Sequence, residues 1–244
     1  MRINRTFYPF GLDLGQEIEL ESQAAIHLTR VLRAQPGTEV ILFNGDGNEY
    51  SATIHKTDRN RAWVVINNVA TVNHESPLSI TLAQGISRSD RMDYTLQKAV
   101  ELGVNHIVPL FTENCSVKLK ADRIEKRLKH WQGIIISACE QSGRTRIPEI
   151  SSPLTLANWL TIIPSGQTCL TLQPEAAYSL QNINPPEKNI TLLVGPEGGL
   201  SQQEITTVNK QNFQGVRLGP RILRTETAAM VAMSIIQHRW GDLV

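Results

Sequence analysis

The stretch LLVGPEGGLSQQE, residues 192–204, decides the fold of this chain. It starts within a short apolar run, NITLLVG, of the kind that is buried in a parallel sheet. Ser201 and Glu204 have the spacing of a capping box, so a helix begins here and the preceding glycines form a loop. Ligands of open α/β sheets bind at such strand ends, where glycines let the backbone approach closely. The stretch therefore predicts an α/β domain with a ligand loop at 195–199, and a plain tight turn is the alternative.

A second stretch, LGPRILRTETA at 218–228, repeats the arrangement of strand, Gly-Pro loop and helix. Two such loops could form one crevice. Their spacing matches neither the dinucleotide fingerprint GxGxxG nor the phosphate loop GxxxxGK[ST]. The pattern therefore disfavours a Rossmann dehydrogenase and a P-loop ATPase.

Strands and helices alternate from about residue 73 to the end of the chain. LSITLAQGI and HIVPLF are predicted strands, and RMDYTLQKAVELG between them is a predicted helix with Met92, Leu96 and Val100 on one stripe. A longer amphipathic helix follows through residues 124–139, and the broadly apolar residues 225–237 form the last one. The fold class predicted for residues 73–244 is α/β.

Residues 1–72 are mostly strand-forming. TEVILFN and EYSATIH flank the turn at 44–47, which predicts a β-hairpin, and RAWVVINNV adds a further strand. One helix is predicted over 22–37. The polar segment ending at Pro77 separates this part from the α/β part, so the sequence predicts two domains, a small barrel at 1–72 and a domain at 73–244.

Composition indicates an ordinary folded protein, since 41% of the 244 residues are hydrophobic, 19% are charged and the net charge is +1. Eight lysines and arginines face four acids within 113–146, which indicates either a basic surface or a solvated helix face. Three widely spaced cysteines and no apolar run of membrane-spanning length predict a soluble, cytoplasmic protein with no membrane partner. The histidines have no metal-ligand spacing, no GxSxG motif occurs, and Cys139 is expected in the core, so neither metal nor nucleophile is predicted.

Five motifs occur in one order along the chain: KAVELGV at 98–104, CEQSGR at 139–144, LTLQPEA at 170–176, GPEGG at 195–199 and LGPRILRTETA at 218–228. In this order they resemble the bacterial 16S ribosomal RNA uridine N3-methyltransferase family of the SPOUT superfamily. The resemblance covers the whole chain. It implies a deep trefoil knot in the α/β domain, a PUA-like β-barrel before it, and an obligate homodimer.

The resemblance also implies S-adenosylmethionine as cofactor, held largely by backbone groups of three loops, 172–175, 195–199 and 218–227. The cofactor-binding residues implied are Leu172, Gln173, Pro174, Gly195, Pro196, Glu197, Gly198, Gly199, Leu218, Gly219, Ile222, Leu223, Arg224 and Thr227. The implied substrate is a uridine in the decoding-region helix of 16S ribosomal RNA, within the assembled small subunit.

Methylation at uracil N3 requires that the N3 proton be accepted or that the resulting anion be stabilised. Arg224 is the candidate for stabilising charge on the base carbonyls, because a guanidinium offers several fixed donors. Glu226 or Glu197 is the candidate proton acceptor. Each carboxylate could instead cap a helix or hold a loop.

RNA contacts are expected from basic residues, because phosphate contacts supply most of the affinity for RNA. The candidates are Arg2, Arg5, Arg88, Arg91, Lys98, Arg144 and Arg146. For any one of them the alternative is a surface arginine or lysine without a role.

Two other functions remain open from the sequence. An RNA-binding or ribosome-assembly factor could keep the fold without catalysis, although it would have no use for the glycine loops and Arg224. A small-molecule α/β enzyme could use the loop at 195–199 for phosphate. Affinity for S-adenosylmethionine separates both from the methyltransferase.

Overall fold

A computed structural model describes residues 3–20, 22–26, 28–29, 34–58, 60–117 and 121–244. The chain divides into two units. The first comprises residues 1–75 and 139–147, and the second comprises residues 76–138 and 148–244. Residues 139–147 are thus separated along the chain from the rest of the first unit.

The first unit contains one five-stranded sheet with the strand order β1-β3-β4-β5-β2. Strands β3 and β4 form an antiparallel hairpin, β4 pairs with β5, and β1 pairs parallel to β3. The elements are β1 (Asn4–Phe7), β2 (Glu17–Leu20), α1 (Ser22–Ile26), β3 (Glu39–Phe43), β4 (Asn48–Asp58) and β5 (Arg61–Thr71).

The hairpin forms as predicted because alternate residues of its strands are apolar and the turn contains glycines. Val40 and Leu42 are buried on β3, and Ala52 and Ile54 on β4, so one face of the sheet makes the core. Gly45 and Gly47 have φ values of 96° and 99°, which other residues rarely adopt.

The helix predicted over 22–37 is shorter in the structure. Helix α1 ends at Ile26, Leu28 and Thr29 are in π-helical conformation, residues 34–35 have no regular structure, and residues 36–37 form a turn. Residues 27 and 30–33 of the predicted helix lie outside the described residues.

Buried arginines attach residues 139–147 to the first unit. Arg144 is 4% exposed, and its guanidinium forms an ion pair with Glu75. Arg5 pairs with Glu49 and also donates from Nη2 to the Gly143 carbonyl at 3.1 Å. The Phe7 amide of β1 donates to Glu140 Oε1 at 3.0 Å. Charged groups are costly to bury unless they are paired, so these contacts hold the segment in one position.

The second unit is a parallel sheet with helices. Its strand order is β11-β13-β10-β12-β6-β7-β8, and β9 also pairs with β7. The strands are β6 (Ser79–Gly85), β7 (Val104–Phe111), β8 (Glu149–Ile150), β9 (Leu154–Thr155), β10 (Thr168–Leu172), β11 (Tyr178–Ser179), β12 (Asn189–Val194) and β13 (Gln214–Arg217). The helices are α2 (Ser89–Glu101), α3 (Ala121–Ser142), α4 (Leu156–Leu160), α5 (Gln202–Lys210), α6 (Thr225–Trp240) and a 3₁₀ turn, Leu180–Asn182. The last four residues of α3, 139–142, belong to the first unit. The α/β prediction is confirmed.

The predicted apolar stripe of α2 is confirmed, because Met92, Leu96 and Val100 are all fully buried. Gly103 ends this helix with a φ of 81° and donates its amide to the Val100 carbonyl. No helix within the described residues is long and apolar enough to cross a membrane.

We predict that Arg144→Met lowers the free energy of unfolding by about 3–5 kcal/mol, because it leaves the Glu75 carboxylate buried without its guanidinium. The midpoint of urea denaturation measures the change. Arg61→Met is the matched control, since Arg61 pairs with Glu19 at 3.3 Å in the same unit but is 64% exposed. The control should lose less than about 1 kcal/mol. Equal losses in both variants would contradict a structural role for the buried pair.

Candidate active site

A cavity of about 430 Å³ lies at the carboxyl ends of β10, β12 and β13. This volume falls within the range of roughly 300–1,000 Å³ that is usual for small-molecule sites. Three segments supply most of its lining: residues 172–174, 194–199 and 216–225 without Pro220. Because the strands are parallel, the loops that follow them meet at one edge of the sheet. The expected crevice between two Gly-Pro loops is present.

The glycine loop at 195–199 packs closely against the end of β6. A Cβ on Gly85 would lie 2.5 Å from the Pro196 nitrogen, so this strand end must be glycine for the loop to reach it. Within the loop, the Gly199 amide donates to the Pro196 carbonyl at 2.9 Å. Gly199 has a φ of 68°, and a Cβ added to it would meet no described atom within 4 Å. The loop is therefore tightly held on the strand side and open at Gly199.

Residues that follow β7 support the glycine loop from another side. Asn114 Nδ2 donates to the carbonyls of Gly198 and Gly199, at 3.1 and 3.2 Å. The capping box is confirmed, since Ser201 Oγ accepts from the Glu204 amide and Glu204 Oε2 accepts from the Ser201 amide. Glu204 Oε1 accepts in addition from the amide of Glu113. This carboxylate therefore joins α5 to the segment after β7.

The carboxylate of Glu197 contacts the start of α2. Its Oε1 accepts from the Arg88 amide at 2.9 Å and lies 3.5 Å from Arg91 Nη1. Arg88 is the N-cap residue of α2, and its own side chain makes no capping hydrogen bond. The Glu197 carboxylate therefore supplies the acceptor and the negative charge that favour this helix N-terminus. Glu197 Oε2 is enclosed and has no partner among the described residues.

The second Gly-Pro loop brings positive charge to the cavity. Arg224 is exposed at the start of α6, where its side chain makes no capping hydrogen bond. Arg91, Arg217 and Arg221 also line the cavity, and Glu197 is the carboxylate among its described lining residues. Four arginines face one glutamate, so the cavity favours anionic groups.

Residues 74–237 match the sequence model of an RNA methyltransferase domain, and residues 20–67 match that of an RNA methyltransferase PUA domain. The chain belongs to the RNA methyltransferase family. It is 35% identical over 242 residues to ribosomal RNA small subunit methyltransferase E of Buchnera aphidicola from Schizaphis graminum, covering 99% of this chain and 98% of the relative.

Two solved methyltransferase structures resemble the chain over the full length of both proteins. One is ribosomal RNA small subunit methyltransferase E of Neisseria gonorrhoeae bound to S-adenosyl methionine, with 42% identity and a TM-score of 0.93. The other is a putative methyltransferase of Legionella pneumophila in complex with the same cofactor, with 40% identity and a TM-score of 0.96. The expected α/β methyltransferase with a PUA domain is confirmed.

Most of the predicted cofactor residues line the cavity of the methyltransferase. The lining residues among them are Leu172, Gln173, Pro174, Gly195, Pro196, Glu197, Gly198, Gly199, Leu218, Gly219, Ile222, Leu223 and Arg224. Thr227 and Glu226 are not among the lining residues, and Glu226 Oε2 is enclosed without a partner in the described part of the chain. Besides Arg91, lining residues outside the predicted loops are Val194, Val216, Arg217 and Ala228, while Arg221 and Thr225 lie within the predicted loop 218–227 without having been named individually. Asn114 was also missed, although its place directly after a strand of the sheet was a usable signal.

The predicted RNA-binding residues of the methyltransferase are divided between the two units. Arg88, Arg91 and Lys98 belong to the second unit, where Lys98 Nζ bonds Glu101 at 2.8 Å. The other described candidates, Arg5, Arg144 and Arg146, belong to the first unit, and of these Arg146 is exposed. RNA contact by Arg5 or Arg144 would require a buried ion pair to open. Arg2 lies outside the described residues.

The thiols of the methyltransferase show no sign of nucleophilic activation. Burial raises the pKa of the Cys139 thiol to about 12 and that of Cys169 to about 11. Both thiols are therefore protonated at neutral pH, whereas the thiolate is the nucleophile. No group of three or more His, Cys, Asp or Glu in the described ranges could hold a metal ion.

Proposed function

We propose that this chain is a cytoplasmic enzyme that transfers a methyl group from S-adenosylmethionine to N3 of one uridine in 16S ribosomal RNA. The observation that carries the proposal is the arginine-rich cavity between the two Gly-Pro loops. The names of the Buchnera and Neisseria relatives support the small ribosomal subunit as substrate. The uridine N3 target rests on the motif resemblance.

The cavity fits the cofactor. Gly199 and Gly219 have φ values of 68° and 123°, and a Cβ added to either would meet no described atom within 4 Å. Space therefore lies beside the backbone of both loops, where amides and carbonyls could bind a ligand. We assign cofactor binding to residues 172–174, 195–199 and 218–224. When bound, the cofactor supplies an electrophilic methyl group on a sulfonium.

We assign stabilisation of the uracil anion to Arg224, and to Arg91, which lines the same cavity. Uracil N3 is protonated at neutral pH, and positive charge next to the base carbonyls makes the loss of that proton easier. The carboxylates are less suited to accept it. Glu197 Oε1 is bonded to Arg88 and Arg91, its Oε2 is enclosed, and Glu226 does not line the cavity. We therefore propose that the proton leaves to water and that Glu197 holds Arg91 in place.

RNA approaches, in this proposal, over the exposed arginines of the cavity and over Arg88. The first unit adds contacts through exposed basic residues such as Arg146. For the domain organisation we keep 1–72 and 73–244 as proposed boundaries. We propose the trefoil knot for the second of these domains, which the chain path in a crystal structure would check.

We predict that the purified protein binds S-adenosylmethionine and S-adenosylhomocysteine in calorimetric titration. It should also transfer methyl groups to small subunits that lack the modification, with N3-methyluridine detected by mass spectrometry. Gly199→Trp should abolish cofactor binding by filling the cavity. Gly166→Trp controls for backbone strain, because Gly166 also has a positive φ of 79° and open space but does not line the cavity.

The alternatives make different predictions in the same assays. Absence of methyl transfer to any small-subunit preparation would refute the enzyme. No cofactor affinity together with binding to ribosomal RNA would favour an assembly factor. Thermal stabilisation by nucleotides, and not by the methionine cofactor, would favour a small-molecule enzyme.

Arg224→Gln should lower kcat by about 10²–10³-fold while the Kd for the cofactor changes little, because charge stabilisation acts in the transition state. Glu226→Gln should retain most activity if no carboxylate accepts the proton. Arg123→Gln removes one charge from an exposed residue of α3 that does not line the cavity, and controls for net charge. A larger loss of kcat in Glu226→Gln than in Arg224→Gln would reverse the assignment.

We propose a homodimer in which α6 contributes to the interface. Ala229, Ala232, Met233 and Ile236 of α6 are buried within the subunit, while the apolar Ile235 stays partly exposed on the same helix. Burial of such a surface against a second copy is favourable.

Sedimentation at micromolar concentration should show a dimer, and Ile235→Glu should shift it towards monomer. His238→Glu, at an exposed position of the same helix, should remain dimeric. A stable wild-type monomer would rule out the interface.

A further inference from the structure

Gln84, Gly195 and Thr225 meet in a buried polar junction behind the cavity. Gln84 Nε2 donates to Thr225 Oγ1 at 2.9 Å and lies 3.4 Å from the Gly195 carbonyl oxygen. Thr225 Oγ1 donates in turn to the same Gly195 oxygen at 2.6 Å. Gln84 is fully buried and Thr225 is 6% exposed. Gln84 Nε2 also donates to the carbonyl of the adjacent Gly85 at 3.0 Å. The hydrogen bonds that join Gln84, Gly195 and Thr225 are called here the junction.

The junction joins three elements that are distant in sequence. Gln84 stands near the end of β6 and pairs in register with Val194, the last residue of β12. Gly195 is the first residue of the glycine loop, and Thr225 is the first residue of α6. One side chain from β6 thus contacts both segments that carry the Gly-Pro loops.

The amide side chain of Gln84 is unexpected at this buried position, because its neighbours on the strand are apolar. Leu82 and Ala83 of β6 are fully buried, and an amide in such surroundings costs free energy unless it is hydrogen-bonded. Gln84 Oε1 has no partner among the described residues, so the amide is only partly satisfied. Core packing alone would be served better by an apolar residue.

The position of the junction next to the cavity explains why a glutamine is found there. Gly195 and Thr225 line the cavity, whereas Gln84 lies behind them. Thr225 Oγ1 acts as a relay, since it accepts from one partner and donates to the other. A valine of similar shape could do neither, and a serine could do both.

We propose that Gln84 and Thr225 are positioning residues that hold the two Gly-Pro loops at a fixed separation and thereby set the affinity of the cavity for its cofactor. The identity of that cofactor rests on the proposed function. The restraint on the loops does not, because it is built from contacts within the protein itself.

The test compares Thr225→Val with Thr225→Ser in two measurements. Hydrogen exchange of the ligand-free protein should become faster at residues 195–199 and 218–224 in the valine variant, and calorimetric affinity for S-adenosylmethionine should fall by roughly tenfold. The serine variant should restore both. In steady state, KM for the cofactor should rise more than kcat falls, because the chemical groups stay in place.

Thr191→Val is the matched control. Thr191 lies on β12, is 2% exposed, and donates from its hydroxyl to Gln167 Oε1 at 2.8 Å, but it does not line the cavity. It should lower stability without changing exchange in the two loops or cofactor affinity. If Thr225→Val fails to fold, Gln84→Met tests the same junction by removing the donor at similar side-chain size. The two single variants should be non-additive in a double-mutant cycle, because they break one network.

The outcomes separate the two proposals. Faster loop exchange in Thr225→Val, with a wild type that binds no S-adenosylmethionine, would refute the proposed function and leave the junction as a loop restraint. Unchanged exchange and unchanged affinity in Thr225→Val would overturn the junction while the enzyme stands. Equal effects of Thr225→Val and Thr191→Val on both readouts would also overturn it.

Discussion

The parallel pairing of β12 with β6 is the constraint on which the rest of the second unit depends. The register runs from Asn189 opposite Ser79 to Val194 opposite Gln84. It brings the two strand ends together, so that Gly85 faces Pro196 at a distance that only glycine permits. A register slip of one residue would place a side chain where the loop must pass and would reverse which residues face each side. The shape of the cavity therefore follows from a backbone pairing before any side chain of the site is considered.

Arginine side chains have different roles in the two units. In the first unit, Arg5 and Arg144 are enclosed and paired with carboxylates, where they give specific geometry at a desolvation cost. In the second unit, Arg217, Arg221 and Arg224 stay exposed around the cavity, and together with the partly buried Arg91 they outnumber the lining carboxylate. The basic excess at 113–146 contains both kinds of residue, since Arg144 is buried while Arg123 and Lys126 are exposed. A count of charges along the chain cannot separate them, because pairing depends on residues such as Glu75 that are far away in sequence.

Local signals predicted the elements of this chain better than the contacts between them. The capping box at Ser201, the stripe on α2 and the hairpin around 44–47 are each contained in a short window, and each is confirmed. The helix over 22–37 extended too far, since residues 34 and 35 have no regular structure, while Pro36 and Gly37 at its predicted end lie in a turn. Gln84 carried no local signal for its role. It contacts the loop that follows the neighbouring strand β12, and the pairing of β6 with β12 is not evident from either segment alone. Asn114 acts on the same loop from the segment after β7, a strand that β6 separates from β12. Thr225 was visible only as part of a motif, and its two hydrogen-bond partners lie on β6 and after β12.

The lining of the cavity suggests how one pocket could serve two ligands of different charge. Glycine, proline and leucine dominate the segments 172–174 and 195–199, where the backbone is the main source of polar groups. The arginines come chiefly from 216–225 and α2. A ligand held by backbone amides and carbonyls must approach the loop closely, and the loop must keep one position. Gly85, Asn114 and the junction each help to fix the loop in that position. An RNA base needs positive charge that can reach it, and long exposed side chains supply that without a rigid loop. Glu197 stands between the two regions, and because its carboxylate is bonded to Arg88 and Arg91, it links the rigid loop to the charged side of the cavity.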